Sequence, residues 1–169
     1  MLSNYILHSR EFGFMGGIQR DKLRIKETAE VFTPTELVQE MLDKLEFNNP
    51  ELFTNPEKTF LDPSCGDGQF LSEVVIRKME KSGCTLEQAL STTYGVELME
   101  DNVKLCRERL AGPDPTPEIH KILENNIVCC DALKYHYRFD GTSCEVSEVD
   151  IKLNQFFNHE TGSWEDNPI

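Results

Sequence analysis

The sequence is poor in positive charge. Its 169 residues include 17 Lys and Arg against 30 Asp and Glu, so the formal net charge is −13 at pH 7. Affinity for duplex DNA comes largely from Lys and Arg on phosphates, and this deficit therefore argues against a chain that binds DNA by itself. The basic residues at positions 20 to 26 form one short run, which we interpret as a solvated face.

The six cysteines lack the spacings of a metal site or a redox motif. No pair is separated as Cys-x-x-Cys, and no His lies at zinc-ligand spacing from a cysteine pair. The sequence shows no signal peptide and no apolar run long enough to cross a membrane. We therefore expect no bound metal, no membrane contact, reduced thiols and a cytoplasmic protein.

Strand-like and helix-like apolar segments alternate through the middle of the chain, whose length suits one domain. Strands are predicted at residues 58–62, 92–98 and 127–130. The first predicted helix has Thr33 as its N-cap, Pro34 at its first position and Glu36 closing a capping box. A second capping box, from Thr85 to Gln88, opens a short helix. This alternation predicts an α/β fold with a mostly parallel sheet and flanking helices.

The two ends of the chain differ from this middle part. Residues 1–31 are of mixed character, and the alternation of Tyr135, Tyr137 and Phe139 is typical of an edge strand. The acidic tail either packs through its few aromatic residues or is mobile. We therefore divide the chain into an N-terminal segment (1–31), a folded domain (32–140) and an acidic tail (141–169).

The most informative stretch begins at Asp62 and reads Asp-Pro-Ser-Cys-Gly-Asp-Gly-Gln-Phe-Leu. An apolar strand precedes it and a helical pattern follows, so Gly66 and Gly68 lie in a strand-to-helix turn. Glycine lets a backbone approach a ligand closely, and the helix start offers unpaired N–H groups. The dinucleotide-binding fingerprint is the nearest competitor, but its third glycine is replaced by Leu71.

Two further acids follow predicted strands. Glu97 ends the second strand and Asp131 ends the third. In an open parallel sheet, ligands bind beyond the carboxyl ends of the strands, where a carboxylate can accept bonds from ribose hydroxyls or from an adenine amine. Each acid also has a purely structural explanation, because Glu97 can cap the next helix and Asp131 can close a turn.

Four segments together resemble the gamma-type adenine DNA methyltransferases, including the modification subunits of type I restriction systems. The glycine loop is similar to their motif I, Phe32-Thr-Pro34 to motif X, Tyr94-Gly-Val-Glu97 to motif II and Cys130-Asp-Ala-Leu133 to motif III. The resemblance implies a truncated Rossmann-like fold that binds S-adenosylmethionine (SAM). The cofactor-binding residues that it implies are Phe32, Thr33, Pro34, Asp62, Pro63, Ser64, Gly66, Asp67, Gly68, Phe70, Glu97, Leu98, Asp131 and Ala132.

The chain departs from that family at its catalytic motif. The family's Asn/Asp-Pro-Pro-Tyr/Phe tetrapeptide, which grips a flipped adenine, is not found, and Asn167-Pro168-Ile169 is only a fragment of it. We therefore expect SAM binding and assign no catalytic residue. The resemblance implies methyl transfer to adenine N6 in DNA, with DNA bound weakly or through a partner protein, in a complex with a partner subunit or as a homo-oligomer.

Two other functions remain open on the sequence. One is a non-catalytic SAM-binding regulator, or an anti-restriction protein that acts on a restriction or modification complex. The other is a SAM-dependent enzyme that acts on a small molecule. The acidic surface is compatible with the regulator, because it can occupy a DNA-binding groove on a partner.

Overall fold

The computed structural model describes residues 2–11, 33–141, 155–158 and 163–166. Within these residues, helices and short strands alternate along the chain. The elements are α1 (Leu2–Glu11), α2 (Thr35–Asn48), β1 (Phe60–Asp62), α3 (Gln69–Ser82), α4 (Leu86–Ser91), β2 (Thr93–Glu97), α5 (Glu100–Ala111), α6 (Pro117–Asn126), β3 (Ile127–Cys129), β4 (Gln155–Asn158) and β5 (Ser163–Asp166).

The first three strands form a parallel sheet in the order β1-β2-β3. Phe60 is paired with Thr93, and Gly95 with Ile127, so each strand continues the sheet beside its predecessor. The α/β class and the parallel pairing are therefore confirmed, with strands somewhat shorter than predicted. β4 and β5 pair antiparallel in a separate two-stranded sheet.

One face of the parallel sheet supports the main core. Its largest cluster combines side chains of α1, α3, α4, α5 and α6 with Ile127 of β3. Helix α3 is the most deeply buried, since every residue from Leu71 to Met79 is buried. Burial of its leucine, valine and isoleucine side chains is the principal force that holds this helix on the sheet.

Helix α2 packs beside α3 through a second cluster, built around Val38, Leu42 and Phe53. Its start was predicted wrongly. The helix begins at Thr35, the residue in the N-cap position is Pro34, and no side chain caps it. Thr33 is therefore not the N-cap and Pro34 is not the first helical residue; a proline ring offers no acceptor for the helix N–H groups.

The short helix α4 confirms its predicted capping box. The Thr85 hydroxyl accepts from the Gln88 N–H and the Gln88 side chain accepts from the Thr85 N–H. Two helices were not predicted. Helix α6 has Thr116 as N-cap and Pro117 at its first position, which is a regular helix start. The prolines that precede it are typical of a loop, and the helix was therefore not predicted. Helix α1 contributes the buried ring of Tyr5 to the core.

The predicted edge strand at Tyr135, Tyr137 and Phe139 is wrong. Tyr137 and Phe139 have φ values of 52° and 50°, which is left-handed backbone and incompatible with a strand. Their rings contact one another and the Tyr135 ring instead. This aromatic segment covers Val96 and Val128 on the sheet face opposite the helices.

The cysteines differ in part from expectation. Free thiols are present at Cys65, Cys84, Cys106 and Cys129. Cys130, in contrast, is disulfide-bonded, so the prediction that every thiol is reduced is wrong at that position.

Candidate functional site

The glycine loop connects β1 to α3 in a tight turn. The Ser64 N–H donates to Asp62 Oδ1 at 3.0 Å, and the Gly68 N–H donates to the Cys65 carbonyl at 2.9 Å. Gly66 and Gly68 have φ values of 53° and 82°, in the region that favours glycine. Gly68 also occupies the N-cap position of α3, so the loop ends at the positive end of that helix.

Close packing under the loop explains why Gly68 carries no side chain. A Cβ at Gly68 would lie 2.7 Å from Cys106 Sγ of α5. A Cβ at Gly95 of β2 would lie 2.8 Å from Cys65 Sγ and 2.9 Å from Leu71 Cδ1. The loop is therefore held directly against β2 and α5, which fixes its backbone.

Glu97 joins the ends of two strands to the next helix. One of its carboxylate oxygens accepts from the Gly66 N–H and the other from the Met99 N–H, both at 2.9 Å. The residue is 9% exposed. The Glu97 carboxylate thus organises the glycine loop, a role beyond the helix cap that its sequence position suggests.

Asp131 follows β3 at the same edge of the sheet. Its Oδ1 accepts from the Leu133 N–H at 2.9 Å, which is the turn-forming contact expected of an aspartate in a loop. Leu98 and Leu133 beside it are exposed, and Ala132 is half-buried. The acids Asp62, Glu97 and Asp131 therefore stand at the carboxyl ends of three adjacent parallel strands.

The Asp67 carboxylate has a different position from the other acids. It forms a 2.6 Å ion pair with the Arg109 guanidinium, and the two side chains are 3% and 1% exposed. Burial lowers the pKa of Arg109, although Asp67 opposes that shift. The Asp67 side chain faces the core, so we do not count it among the groups that can reach a cofactor.

The start of α2 lies close to the start of α3. Gln69 Nε2 donates to Thr35 Oγ1 at 2.8 Å, which places the half-buried Thr33 and the exposed Pro34 near the glycine loop. Phe32 lies outside the described residues.

The remaining loop residues differ in exposure. Pro63 and Ser64 are exposed. Phe70 is half-buried and packs on the α2 cluster around Val38 and Leu42, so its ring contributes to the protein core.

The electrostatics of the strand ends favour a cationic ligand. Burial raises the pKa of Asp62, and the nearby Glu97 raises it further, while the bond from the Ser64 N–H lowers it. Two neighbouring carboxylates repel, and a positive charge placed between them relieves that repulsion.

A polar cavity of about 260 Å³ lies elsewhere, between α1, α2 and α3. Its charges already pair with one another: Arg10 binds Glu73 with both of its contacts at 3.1 Å, and Arg77 lies 2.6 Å from Asp43. The cavity is therefore lined by a partly exposed ion-pair network, and it is separate from the strand-end acids. Within the described residues, no group of His, Cys, Asp and Glu is arranged to hold a metal, and no helix is long and apolar enough to cross a membrane.

The fold is α/β, and three acids stand beyond the carboxyl ends of its parallel sheet. The chain matches the family model of the N-6 DNA methylases over residues 21–137, which is more than half of its length. It therefore belongs to the N-6 DNA methylase family, as its motifs predicted. No curated protein and no solved structure matches it at a significant level.

Proposed function

We propose that the chain binds SAM at the strand-end site and acts as the cofactor-binding part of an adenine-N6 DNA methyltransferase of Rossmann-like fold. The observation that carries the proposal is the set of acids at adjacent strand ends, Asp62, Glu97 and Asp131, within the segment that matches the family. An open α/β sheet binds its ligand at this position.

Glu97 is the proposed ribose ligand. Its oxygens already accept two backbone N–H groups and a 3.5 Å bond from Asn102 Nδ2, but an ionised carboxylate has about four acceptor positions, so one remains for a ribose hydroxyl. Because Glu97 also holds Gly66 in place, cofactor contact and loop geometry depend on one side chain.

The other site residues surround the rest of SAM in this proposal. Asp131 accepts from the adenine amine, and Leu98 and Ala132 flank the ring. Asp62 attracts the positive charge of the cofactor, and the backbone of Pro63, Ser64, Gly66 and Gly68 contacts its methionine portion. Thr33 and Pro34 close over that portion from the side of α2, and Phe32, outside the described residues, belongs to the same motif.

Methyl transfer needs a further component. The sulfonium methyl would pass directly to the adenine amine in line, with the protein supplying position and orientation. The groups that hold a flipped adenine come either from a partner chain or from a site that the sequence motifs do not reveal, and a partner would also bring the positive charge for DNA that this acidic chain lacks.

Calorimetric titration of SAM into the purified chain tests the site. We expect saturable binding, weakened by Glu97→Ala and by Asp131→Ala, because each loses a charge-assisted contact worth about 1.5–3 kcal/mol. Glu124→Ala, an exposed acid on α6, is the matched control and should bind like the unaltered chain. Absence of binding by a chain shown to be folded would refute the proposal.

Transfer of a labelled methyl group to adenine-containing DNA separates the candidate functions. The proposal expects no transfer by the chain alone and transfer when the partner is added. SAM binding without transfer under either condition would favour the non-catalytic regulator, for which the −13 charge is the supporting observation. Transfer to a small molecule would instead favour the third function considered above.

A further inference from the structure

A continuous chain of buried polar side chains joins α5 to the starts of α3 and α2. The Arg109 guanidinium donates from one terminal nitrogen to Asp67 Oδ2 at 2.6 Å and from the other to Gln69 Oε1. Gln69 Nε2 in turn donates to Thr35 Oγ1 at 2.8 Å. Arg109, Asp67 and Gln69 are buried, so little water competes for these bonds. This chain of side chains is called the Arg109 network below.

Arg109 determines the direction of these bonds. A guanidinium can only donate, so the Gln69 side chain must turn its amide oxygen toward Arg109. The amide nitrogen then points to the Thr35 hydroxyl, which accepts. Because the guanidinium is planar, its two acceptors are held in one mutual geometry. The network therefore links the position of Thr35 to that of Asp67.

The two ends of the Arg109 network belong to the two segments that meet at the methionine end of the proposed SAM site. Asp67 lies within the glycine loop, and Thr35 directly follows Thr33 and Pro34. Helix α2 begins at Thr35 without a side-chain cap. The position of its first turn therefore depends on contacts with other elements.

Other polar contacts between α2 and α3 lie further along the helix. Gln39 and Asp43 contact Arg77 of α3. Gln69, in contrast, bonds to Thr35, the first residue of α2. Because these contacts are separate, loss of the Gln69 bond should loosen the start of α2 while the rest of the helix stays packed on α3.

We propose that Arg109 and Gln69 are positioning residues that hold the start of α2 against the glycine loop and thereby shape the methionine end of the SAM site. The inference rests on the proposed function, which it extends to two residues that do not touch the cofactor. They act through Asp67 in the loop and Thr35 in the helix. A buried polar network whose members are bonded to one another permits fewer arrangements than apolar packing of the same volume.

Calorimetric titration of two ligands into Thr35 variants tests the network. Thr35→Val keeps the shape of the side chain but loses the acceptor, whereas Thr35→Ser keeps the hydroxyl. The ligands are SAM and 5′-methylthioadenosine, which has the adenine, ribose and sulfur but lacks the amino-acid portion. We expect Thr35→Val to weaken SAM binding about fivefold or more and to leave methylthioadenosine binding within about twofold. Thr35→Ser should bind both ligands like the unaltered chain.

Arg109→Lys tests the network from its other end. Lysine keeps a positive charge beside Asp67, but a single ammonium cannot replace the planar fork that holds both acceptors. We expect the same selective loss of SAM affinity. Adding Thr35→Val to this variant should cost less than it costs in the unaltered chain, because both changes act on one contact. Thermal unfolding checks that each variant is folded.

Hydrogen exchange gives a second readout that does not depend on the shorter ligand. The Val38 N–H donates to the Pro34 carbonyl at 3.0 Å and so reports the first turn of α2. The Gly83 N–H, which donates to the Met79 carbonyl at the end of α3, is the control. We expect Thr35→Val to speed exchange at Val38 but not at Gly83, and SAM to slow exchange at Val38 in the unaltered chain.

Two results would overturn the inference and leave the proposed function intact. One is SAM binding by the unaltered chain that Thr35→Val does not weaken. The other is an equal loss of affinity for both ligands with equal changes at Val38 and Gly83, which would mean that the network supports the fold in general. Absence of SAM binding by the folded, unaltered chain would overturn the proposed function together with this inference, so the two failures are distinguishable.

Discussion

Asp62 and Asp67 lie in one loop and have opposite surroundings. Asp62 is half-buried at a strand end, beside a backbone N–H and the second carboxylate Glu97. Asp67 is buried against Arg109, where the ion pair compensates for the loss of water around both charges. Residue type alone therefore says little about which of the two acids meets a ligand.

The Asp67–Arg109 pair gives a stability prediction. Asp67→Ala should lower the free energy of unfolding by about 3–5 kcal/mol, because it leaves a buried guanidinium uncompensated. Urea unfolding measures the loss. Arg109→Met in the same background should restore part of it, and a purely additive double variant would contradict the role assigned to the pair.

Asp62 gives a stability prediction of the opposite sign, because its replacement by a neutral residue should increase the free energy of unfolding. Its folded pKa is raised above the unfolded value, chiefly by burial, so the folded state binds this proton more tightly. The ionised carboxyl thus costs stability at neutral pH, and the cost shrinks as the pH falls below the folded pKa and is gone below the unfolded pKa. Asp62→Asn keeps the oxygen that accepts the Ser64 N–H and should raise the unfolding free energy at pH 7.

The pH dependence and the ligand affinity check that prediction. The advantage of Asp62→Asn in urea unfolding should shrink as the pH is lowered and vanish below both pKa values. The same variant should weaken SAM binding, because it removes a charge that attracts the sulfonium. A gain in stability that is constant with pH would show that the carboxyl charge is not its cause.

Among the elements, the glycine loop is the most constrained. It is bonded to Glu97 at the end of β2, and it packs on Cys106 of α5 while forming the start of α3. Three elements therefore meet at one short turn. A side chain added at Gly68 should therefore disturb all three elements. Gly83, which ends α3, has no atom within 4 Å of the position that a Cβ would take.

Gly68→Ala and Gly83→Ala form a matched pair. Both glycines have left-handed backbone, with φ values of 82° and 71°, so either alanine costs about 1–3 kcal/mol of strain. Only Gly68 has an atom in the way, Cys106 Sγ at 2.7 Å, while nothing lies within 4 Å at Gly83. Urea unfolding should show the larger loss in the free energy of unfolding for Gly68→Ala. Equal losses would show that α5 can move aside without a cost in free energy.

At the scale of the whole molecule, the short sheet leaves much of the stability to helix packing. β1 and β3 have three residues each, and the strands carry few of the side chains of the main core. A ligand that bonds to three strand ends at once would therefore stabilise the sheet, whose strands share only a few backbone hydrogen bonds.

SAM should stabilise the chain in proportion to its occupancy. At a free concentration about 100 times the Kd, a ligand that binds only the folded state adds about 2.7 kcal/mol. Thermal unfolding measured with increasing SAM should follow this logarithmic rise, and Glu97→Ala should need more SAM for the same shift. No shift at concentrations that saturate in calorimetry would mean that SAM also binds the unfolded chain.

Several elements were readable from the sequence because their signals are local. The Thr85 capping box involves two residues of one turn, and Gly83 ends α3 in the left-handed backbone that glycine favours. The strand-to-helix turn at Gly66 and Gly68 is a local signal of the same kind. From it the sequence predicts both the position of the candidate site and the family.

Other features depend on residues distant in the chain. The Asp67–Arg109 pair and the Gly66–Glu97 bond join separate elements, and no spacing rule predicts either. The alternation of Tyr135 and Phe139 reads as a strand, but packing of their rings on the sheet requires a different backbone.

The sequence by itself determined the α/β class, the glycine turn and the family, because periodicity, turn chemistry and short motifs are properties of neighbouring residues. Only the tertiary structure decided which acid of the loop is buried and that Glu97 bonds to the glycine loop. Those outcomes depend on which side chains meet after the chain has folded, and on how much water each of them has lost.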